Sequence, residues 1–414
     1  MTTLTAKRPV ASDEELLALY SDPDTCPTDA LVPVPLSQEP AFITWQQDIP
    51  RAYLDMSPEE LDQRITRARA ALGKKLVILG HHYQRDEVIK FADFTGDSFK
   101  LSQLAAAQTS AEYVLFCGVH FMAESADILT PETVRVMLPN IAAGCSMADM
   151  ADPDDVYAAW DEISEALDGA ATVIPVTYMN STASLKSFVG ERNGIVCTSS
   201  NAGKTFAWAF ERGAKILFFP DQHLGRNTGY QMGIPLDEMA LWNWRMPHGG
   251  LTPEQIRKAK VILWQGHCST HQRFSVEQIE KARRAHPGVN VIVHPETRWE
   301  VVQAADAWGS TEVIIKAVTE APAGSVWAVG TEINLVNRLA KANPDKTVFC
   351  LDPVVCPCST MYRIHPAYLA WVLEGLLQGH IVNEIKVDAE TPQVVAGGVG
   401  ANARPALSHT VRLR

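Results

Sequence analysis

Three residue types recur at fixed intervals along this chain: a His or Tyr ending an apolar run, a small hydroxyl residue about twenty positions later, and a closing cysteine. His81 and Ser98 stand 17 residues apart, and Ser98 and Cys145 a further 47; His294, Thr311 and Cys358 repeat both intervals. Tyr178, Ser199 and Cys268 form a middle copy with intervals of 21 and 69. Such repetition implies three similar units around a shared centre, and one cysteine from each delivers three thiolates to one place. Three sulfur ligands leave one metal position open, as a catalytic site requires, whereas four would suit a closed structural site. The pattern therefore suggests an iron cluster with one open corner.

The chain has eight cysteines, too sparse for a disulfide framework in its length. Cys117, Cys197 and Cys350 lie in or beside apolar runs, where a free thiol behaves as a small buried hydrophobe; Cys26 falls in the N-terminal arm. Cys356 competes with Cys358 as the third ligand. The 47-residue interval favours Cys358, and the intervening Pro357 makes it difficult for both sulfurs to reach one cluster. Cys356 remains the alternative.

The strand-end residues are His81 and Tyr83 in GHHYQ, Tyr178 and Asn180 in TYMNS, and His294 and Glu296 in HPET. One His at a strand end is more commonly structural, but here three units aim polar groups at the centre that receives the cysteines. His, Tyr and Glu are the types an acid–base site recruits, because a desolvated pocket moves their pKa values. Ser98, Ser199 and Thr311 stand where strands give way to helices. They are expected to cap those helices, and a capped helix N-terminus also cradles carboxylate or phosphate. Three such ends would hold a polyanion.

The elements that must position these groups are short Val- and Ile-rich runs separated by helical stretches, the signature of parallel strands buried on both faces. The expected fold is α/β: three pseudo-threefold-related α/β sandwich domains with short parallel sheets around a central active site, its residues just past the strand ends. Residues 1–56 read as an extended arm, 57–150 as repeat 1, 151–275 as repeat 2, 276–380 as repeat 3 and 381–414 as a C-terminal segment. Ser57 should cap a helix with an acidic first turn and a basic last turn. Repeat 2 carries an insertion at about 230–260 whose tryptophans would either form a mobile lid or anchor a packed surface loop.

At 414 residues, 46% of them hydrophobic, the chain can bury several cores. A net charge of −12 argues against a nucleic-acid surface. No apolar run is long enough to cross a membrane and no signal peptide opens the sequence, so a cytoplasmic protein is expected. Binding of small anions then depends on local amides, hydroxyls and helix N-termini.

Many ordered motifs over about residues 60–410, among them LGHHYQRDEVIKFADFTGDS, FMAESADIL, AGCSMADM, TYMNSTASLKS, CTSSNA, FFPDQHLGRNT, WQGHCSTHQRF, HPET and VVCPCSTM, resemble the bacterial quinolinate synthases, in particular their longer subgroup. The resemblance implies condensation of iminoaspartate with dihydroxyacetone phosphate to quinolinate, with loss of phosphate and water, in de novo NAD biosynthesis. It implies a 4Fe-4S cluster held by Cys145, Cys268 and Cys358. The substrate site would comprise His81, Ser98, Tyr178, Asn180, Ser199, His294, Glu296 and Thr311, with Tyr83 nearby; acid–base roles would fall to His81, Tyr83, Tyr178, His294 and Glu296. Transient contact with an aspartate-oxidising enzyme and with iron–sulfur assembly proteins is expected on the same ground. Two alternatives from the residues alone are a noncatalytic protein stapled by zinc and an iron–sulfur hydro-lyase acting on a simpler hydroxyacid.

Overall fold

The short apolar runs form three separate parallel sheets with one shared strand order. In the computed structural model, residues 32–39, 47–354 and 357–387 are described; the expectations for Cys26, Cys356, most of the N-terminal arm and most of the C-terminal segment lie outside these residues. The first sheet is built from β1 (Leu76–His81), β2 (Phe94–Gly96), β3 (Tyr113–Cys117) and β4 (Arg135–Met137). The second uses β5 (Val173–Tyr178), β6 (Ile195–Cys197), β7 (Lys215–Phe219), β8 (Met239–Trp242) and β9 (Val261–Trp264). The third uses β10 (Asn290–Val293), β11 (Ala307–Trp308), β12 (Val326–Gly330) and β13 (Thr347–Cys350).

Across each sheet the order is second, first, third, fourth strand: β2-β1-β3-β4, β6-β5-β7-β9 and β11-β10-β12-β13. The register repeats as well. The last residue of the first strand pairs with the last of the second in every sheet, as His81 with Gly96, Tyr178 with Cys197 and Val293 with Trp308. Two additions break the equivalence. An antiparallel strand β14 (Glu384–Ile385) extends the first sheet beside β4, and β8 extends the second beside β9.

β8 comes from the insertion, and its aromatic residues are anchors. Trp242 is buried, and Trp244 stacks on Trp264 with ring centroids 5.5 Å apart and planes 3° apart. The segment is thus a packed sheet edge whose large rings remove apolar surface from water.

Helices cover the sheets and carry the sequence signals expected of them. Ser57 caps the helix Pro58–Leu72 by accepting the Glu60 amide, with Glu59 and Glu60 in the first turn and Arg69 in the last. Thr252 and Ser275 close reciprocal capping boxes with Gln255 and Gln278. The apolar interior divides in two: one core is continuous through the first and second sheets, and a second lies in the third unit. The helix Pro366–Leu377, which the repeat pattern places in the third unit, packs into the first of these cores. Arg64 on helix Pro58–Leu72 grips Glu374 through two hydrogen bonds of 2.7 and 2.6 Å, and Tyr53 donates a third of 2.6 Å. Among the described residues no helix is long and apolar enough to cross a membrane.

Candidate active site

In a parallel sheet every strand ends on one side, so residues placed just past strand ends share one face. His81 ends β1, Tyr178 ends β5, and His294 follows β10 and donates its amide to the Gly330 carbonyl at the end of β12. Ser98, Ser199 and Thr311 follow β2, β6 and β11, while Cys145, Cys268 and Cys358 follow β4, β9 and β13. The three hydroxyl residues do not themselves cap. Asp97, Asn201 and Ser310 occupy the cap positions, leaving Ser98 and Thr311 as first helical residues and Ser199 in the preceding turn. Their hydroxyls are thereby spared from capping.

One hydrogen-bonded chain runs through all three units. Tyr178 donates to Glu296 Oε1 at 2.7 Å, and His271 Nδ1 meets Glu296 Oε2 at 2.7 Å. His271 Nε2 lies 3.1 Å from Thr331 Oγ1, which is 2.9 Å from the Tyr83 hydroxyl; Tyr83 is also 3.3 Å from Thr311 Oγ1. Ser199 also hydrogen-bonds the Tyr178 phenol. With the His271 proton on Nδ1, the Tyr83 hydroxyl can donate to Thr331 and the Thr331 hydroxyl to His271. Donation from both arms then converges on the Glu296 carboxylate.

Aromatic packing fixes the rest of the cluster. His271 and His294 stack at 4.4 Å, and His81 meets Tyr83 edge-on at 4.8 Å. Glu296 is 3% exposed, so burial disfavours its charge, yet neighbouring His294 and His271 and the hydrogen bonds from His271 and Tyr178 hold its carboxyl below the usual range, at about 2. Burial pushes His81 and His294 down to about 3, leaving both imidazoles neutral at physiological pH. The Tyr83 and Tyr178 phenols are raised by burial and by the charge on Glu296, so they remain proton donors.

Cys268 lies at the edge of this network, with Cys145 and Cys358 within electrostatic reach of it. Cys145, Cys268 and Cys358 are half-buried free thiols, and burial raises all three. Cys145 feels the charge of Cys358, and Cys268 those of Cys358 and Cys145, a repulsion that further opposes ionisation. Thiols gathered in this way ionise together only when a cation compensates them, which is the chemistry of a thiolate metal site. Cys268, His271 and Glu296 each present a ligand atom within 4.8 Å of the others, so a metal ion could be held there. The donor set fits a thiolate-bound metal with an oxygen and a nitrogen donor beside it.

The loop carrying Cys268 approaches the second sheet closely. A Cβ on Gly266 would lie 2.4 Å from the Pro220 carbonyl oxygen, so only glycine fits.

The matching family model, Quinolinate synthetase A protein, covers residues 63–398. A quinolinate synthase of Corynebacterium glutamicum is 60% identical over 348 residues, 84% of this chain and 88% of the relative. One from Acidobacterium capsulatum is 59% identical over 340 residues, covering 82% and 91% of the two chains, and one from Geobacillus kaustophilus 51% over 368 residues, covering 88% and 97%. The chain belongs to the quinolinate synthase family. It is therefore a member of a family of enzymes, as the motifs led one to expect.

Within that family frame, the structure joins most residues singled out from the sequence. Tyr83, Tyr178, Ser199, Glu296 and Thr311 are hydrogen-bonded in the chain described above, with His81 and His294 packed against it. Ser98 and Asn180 take no part in that chain among the described residues; both are half-buried at strand ends on the same face. Sequence reasoning missed His271 and Thr331. His271 stands three residues after Cys268 in WQGHCSTHQRF, a local signal that could have suggested it; Thr331, following β12, has no such marker.

Proposed function

We propose that this member of the quinolinate synthase family condenses iminoaspartate with dihydroxyacetone phosphate to quinolinate, with loss of phosphate and water, and that Cys145, Cys268 and Cys358 hold a 4Fe-4S cluster. The observation that carries this reading is the convergence of donors from three units on one ionised carboxylate, Glu296, beside three gathered cysteines. When bound, such a cluster supplies an open iron acting as Lewis acid, which makes hydroxide a better leaving group without net redox change.

The chain's own residues have separable tasks. Glu296, already ionised and aligned by two donors, accepts protons during ring assembly, and Tyr178 and His271 return them, since each shares a short hydrogen bond with it. His81 and His294 are neutral imidazoles that bind or relay protons at the same face. Ser98, Ser199 and Thr311 offer hydroxyls at or near the starts of helices Ser98–Ala107, Ala202–Phe210 and Thr311–Glu320, and Asn180 an amide, for carboxylate and phosphate groups. Fixing both substrates there makes carbon–carbon bond formation effectively intramolecular.

The test is anaerobic purification with iron and sulfide analysis, followed by an assay for quinolinate from the two substrates. A brown, oxygen-sensitive protein that forms quinolinate is expected. A colourless zinc protein, or an iron–sulfur protein that dehydrates only a simple hydroxyacid, would reject the assignment.

A further inference from the structure

The third strand of each unit is followed, two residues beyond its end, by the cap of a ten-residue helix. The caps are Val119 before His120–Leu129, Asp221 before Gln222–Gln231 and Glu332 before Ile333–Ala342. In the first two units the opening amide of that helix donates to the carbonyl two residues before the cysteine: His120 to Ala143 at 2.9 Å and Gln222 to Gly266 at 3.0 Å. The cysteine loop of each of these units is thus hung on the end of its own third-strand helix.

The second and third units add a carboxylate. Glu332, fully buried, accepts the Cys358 amide at 3.3 Å through Oε1, while it also takes the Asn334 amide at 2.8 Å, the Asn334 side chain at 2.8 Å and the Leu335 amide at 3.4 Å. Asp221, also fully buried, takes the His223 and Leu224 amides at 2.7 Å each through Oδ1, so the Cys358 amide is an extra partner that Glu332 alone of the two gains. An ordinary cap needs no burial and no such third partner. The first unit has Val119 at this place and secures its loop otherwise: Asn140 accepts the Ala142 amide, and Arg363 donates to the Ala142 carbonyl.

We infer that Glu332 is a positioning residue for the metal centre, holding the backbone amide of Cys358 so that its thiolate faces the shared axis. The inference rests on the reading of Cys358 as a metal ligand. Partners one step behind the ligands ordinarily change metal affinity by about 10- to 100-fold when removed. Because all four partners of Glu332 are donors, an amide in its place keeps the volume but turns an NH2 group toward them. The shorter carboxylate, by contrast, keeps two acceptor oxygens and no donor.

The experiment strips iron from the anaerobically loaded full chain with increasing chelator, following bound iron and the visible absorption of the centre. Glu332→Gln should lose iron at about 10-fold lower chelator concentration than the parent, and Glu332→Asp should restore retention to within about twofold. Asp152→Asn, altering a cap that serves helix Pro153–Leu167, should behave as the parent. Hydrogen exchange on the loaded parent chain supplies a measurement that needs no variant: the Cys358 amide should be protected. Equal retention in parent and Glu332→Gln, Glu332→Asp no better than Glu332→Gln, or rapid exchange of the Cys358 amide would each overturn the inference. A parent chain that takes up no iron would instead overturn the underlying metal assignment.

Discussion

Glu296 is the residue on which the site's protons converge, and its environment sets what substitution should do. Tyr178 and His271 reach its two oxygens at 2.7 Å each, so Glu296→Gln preserves shape but replaces one acceptor by a donor and removes the charge. Turnover should fall about 10²- to 10⁴-fold, with bound iron unchanged, as measured by quinolinate formation and iron analysis on the same sample. Retained turnover would remove Glu296 from proton transfer. A second residue-scale prediction concerns pH. Glu312 is held down to about 2, first by its hydrogen bond from His82, with burial opposing and the charges of His82 and Lys100 assisting. A carboxyl with a lowered folded pKa stabilises the fold above its unfolded pKa, near 4.5, and loses that contribution as pH falls towards 2. The stability gap between parent and Glu312→Gln should therefore narrow steadily from pH 5 to pH 2 in denaturant titrations; a constant gap would show that the pairing contributes nothing.

At the scale of elements, the helix Gln222–Gln231 does more than cover a sheet. Its Asn227 side chain donates to the Pro295 carbonyl at 2.9 Å and the Thr297 carbonyl at 2.8 Å, bracketing Glu296 on the loop of another unit. Asn227 is 2% exposed, so Asn227→Ala leaves two buried acceptors without this donor, a destabilisation of about 1–3 kcal/mol. We expect a matching loss in chemical denaturation together with at least a tenfold drop in kcat, because the Glu296 backbone loses its brace. Loss of stability with normal kcat would confine Asn227 to packing. The same reasoning explains the insertion, where buried Trp242 and the Trp244–Trp264 stack fix an added edge strand on the second sheet.

At the scale of the molecule, units one and three are tied through Arg338. It donates to the Gln84 carbonyl at 2.6 Å and to the His82 carbonyl, and pairs with Asp86 at 3.0 Å, so helix Ile333–Ala342 holds the loop that carries His81 and Tyr83. This matters because the third unit has its own core while the other two share one; directional contacts across that boundary must set the register of the site. Arg338→Ala should lower kcat/KM at least tenfold through misplacement of Tyr83, whereas Arg338→Lys, which cannot span both carbonyls as a planar fork, should restore only part of it. Steady-state kinetics on the two variants decides the point; full activity in Arg338→Ala would make the tie dispensable.

The local pattern alone was enough to place the chemistry at strand ends. Apolar runs rich in Val and Ile specify buried parallel strands, turn and cap residues mark where they stop, and the repeated 17- and 47-residue intervals expose His81, Ser98, Cys145, His294, Thr311 and Cys358. Those signals are local, because side-chain period and capping depend on neighbours a few residues away. What only the tertiary structure decided is which strand ends touch: the pairing of His271 with Glu296, Thr331 with Tyr83, Asn227 with the HPET loop and Glu332 with the Cys358 amide. His271 and Glu296 are 25 residues apart in sequence and Thr331 and Tyr83 248, separations that no periodicity constrains. The packing of the three units against one another sets the pairings between units, since buried polar groups such as these are tolerated only where a partner meets them.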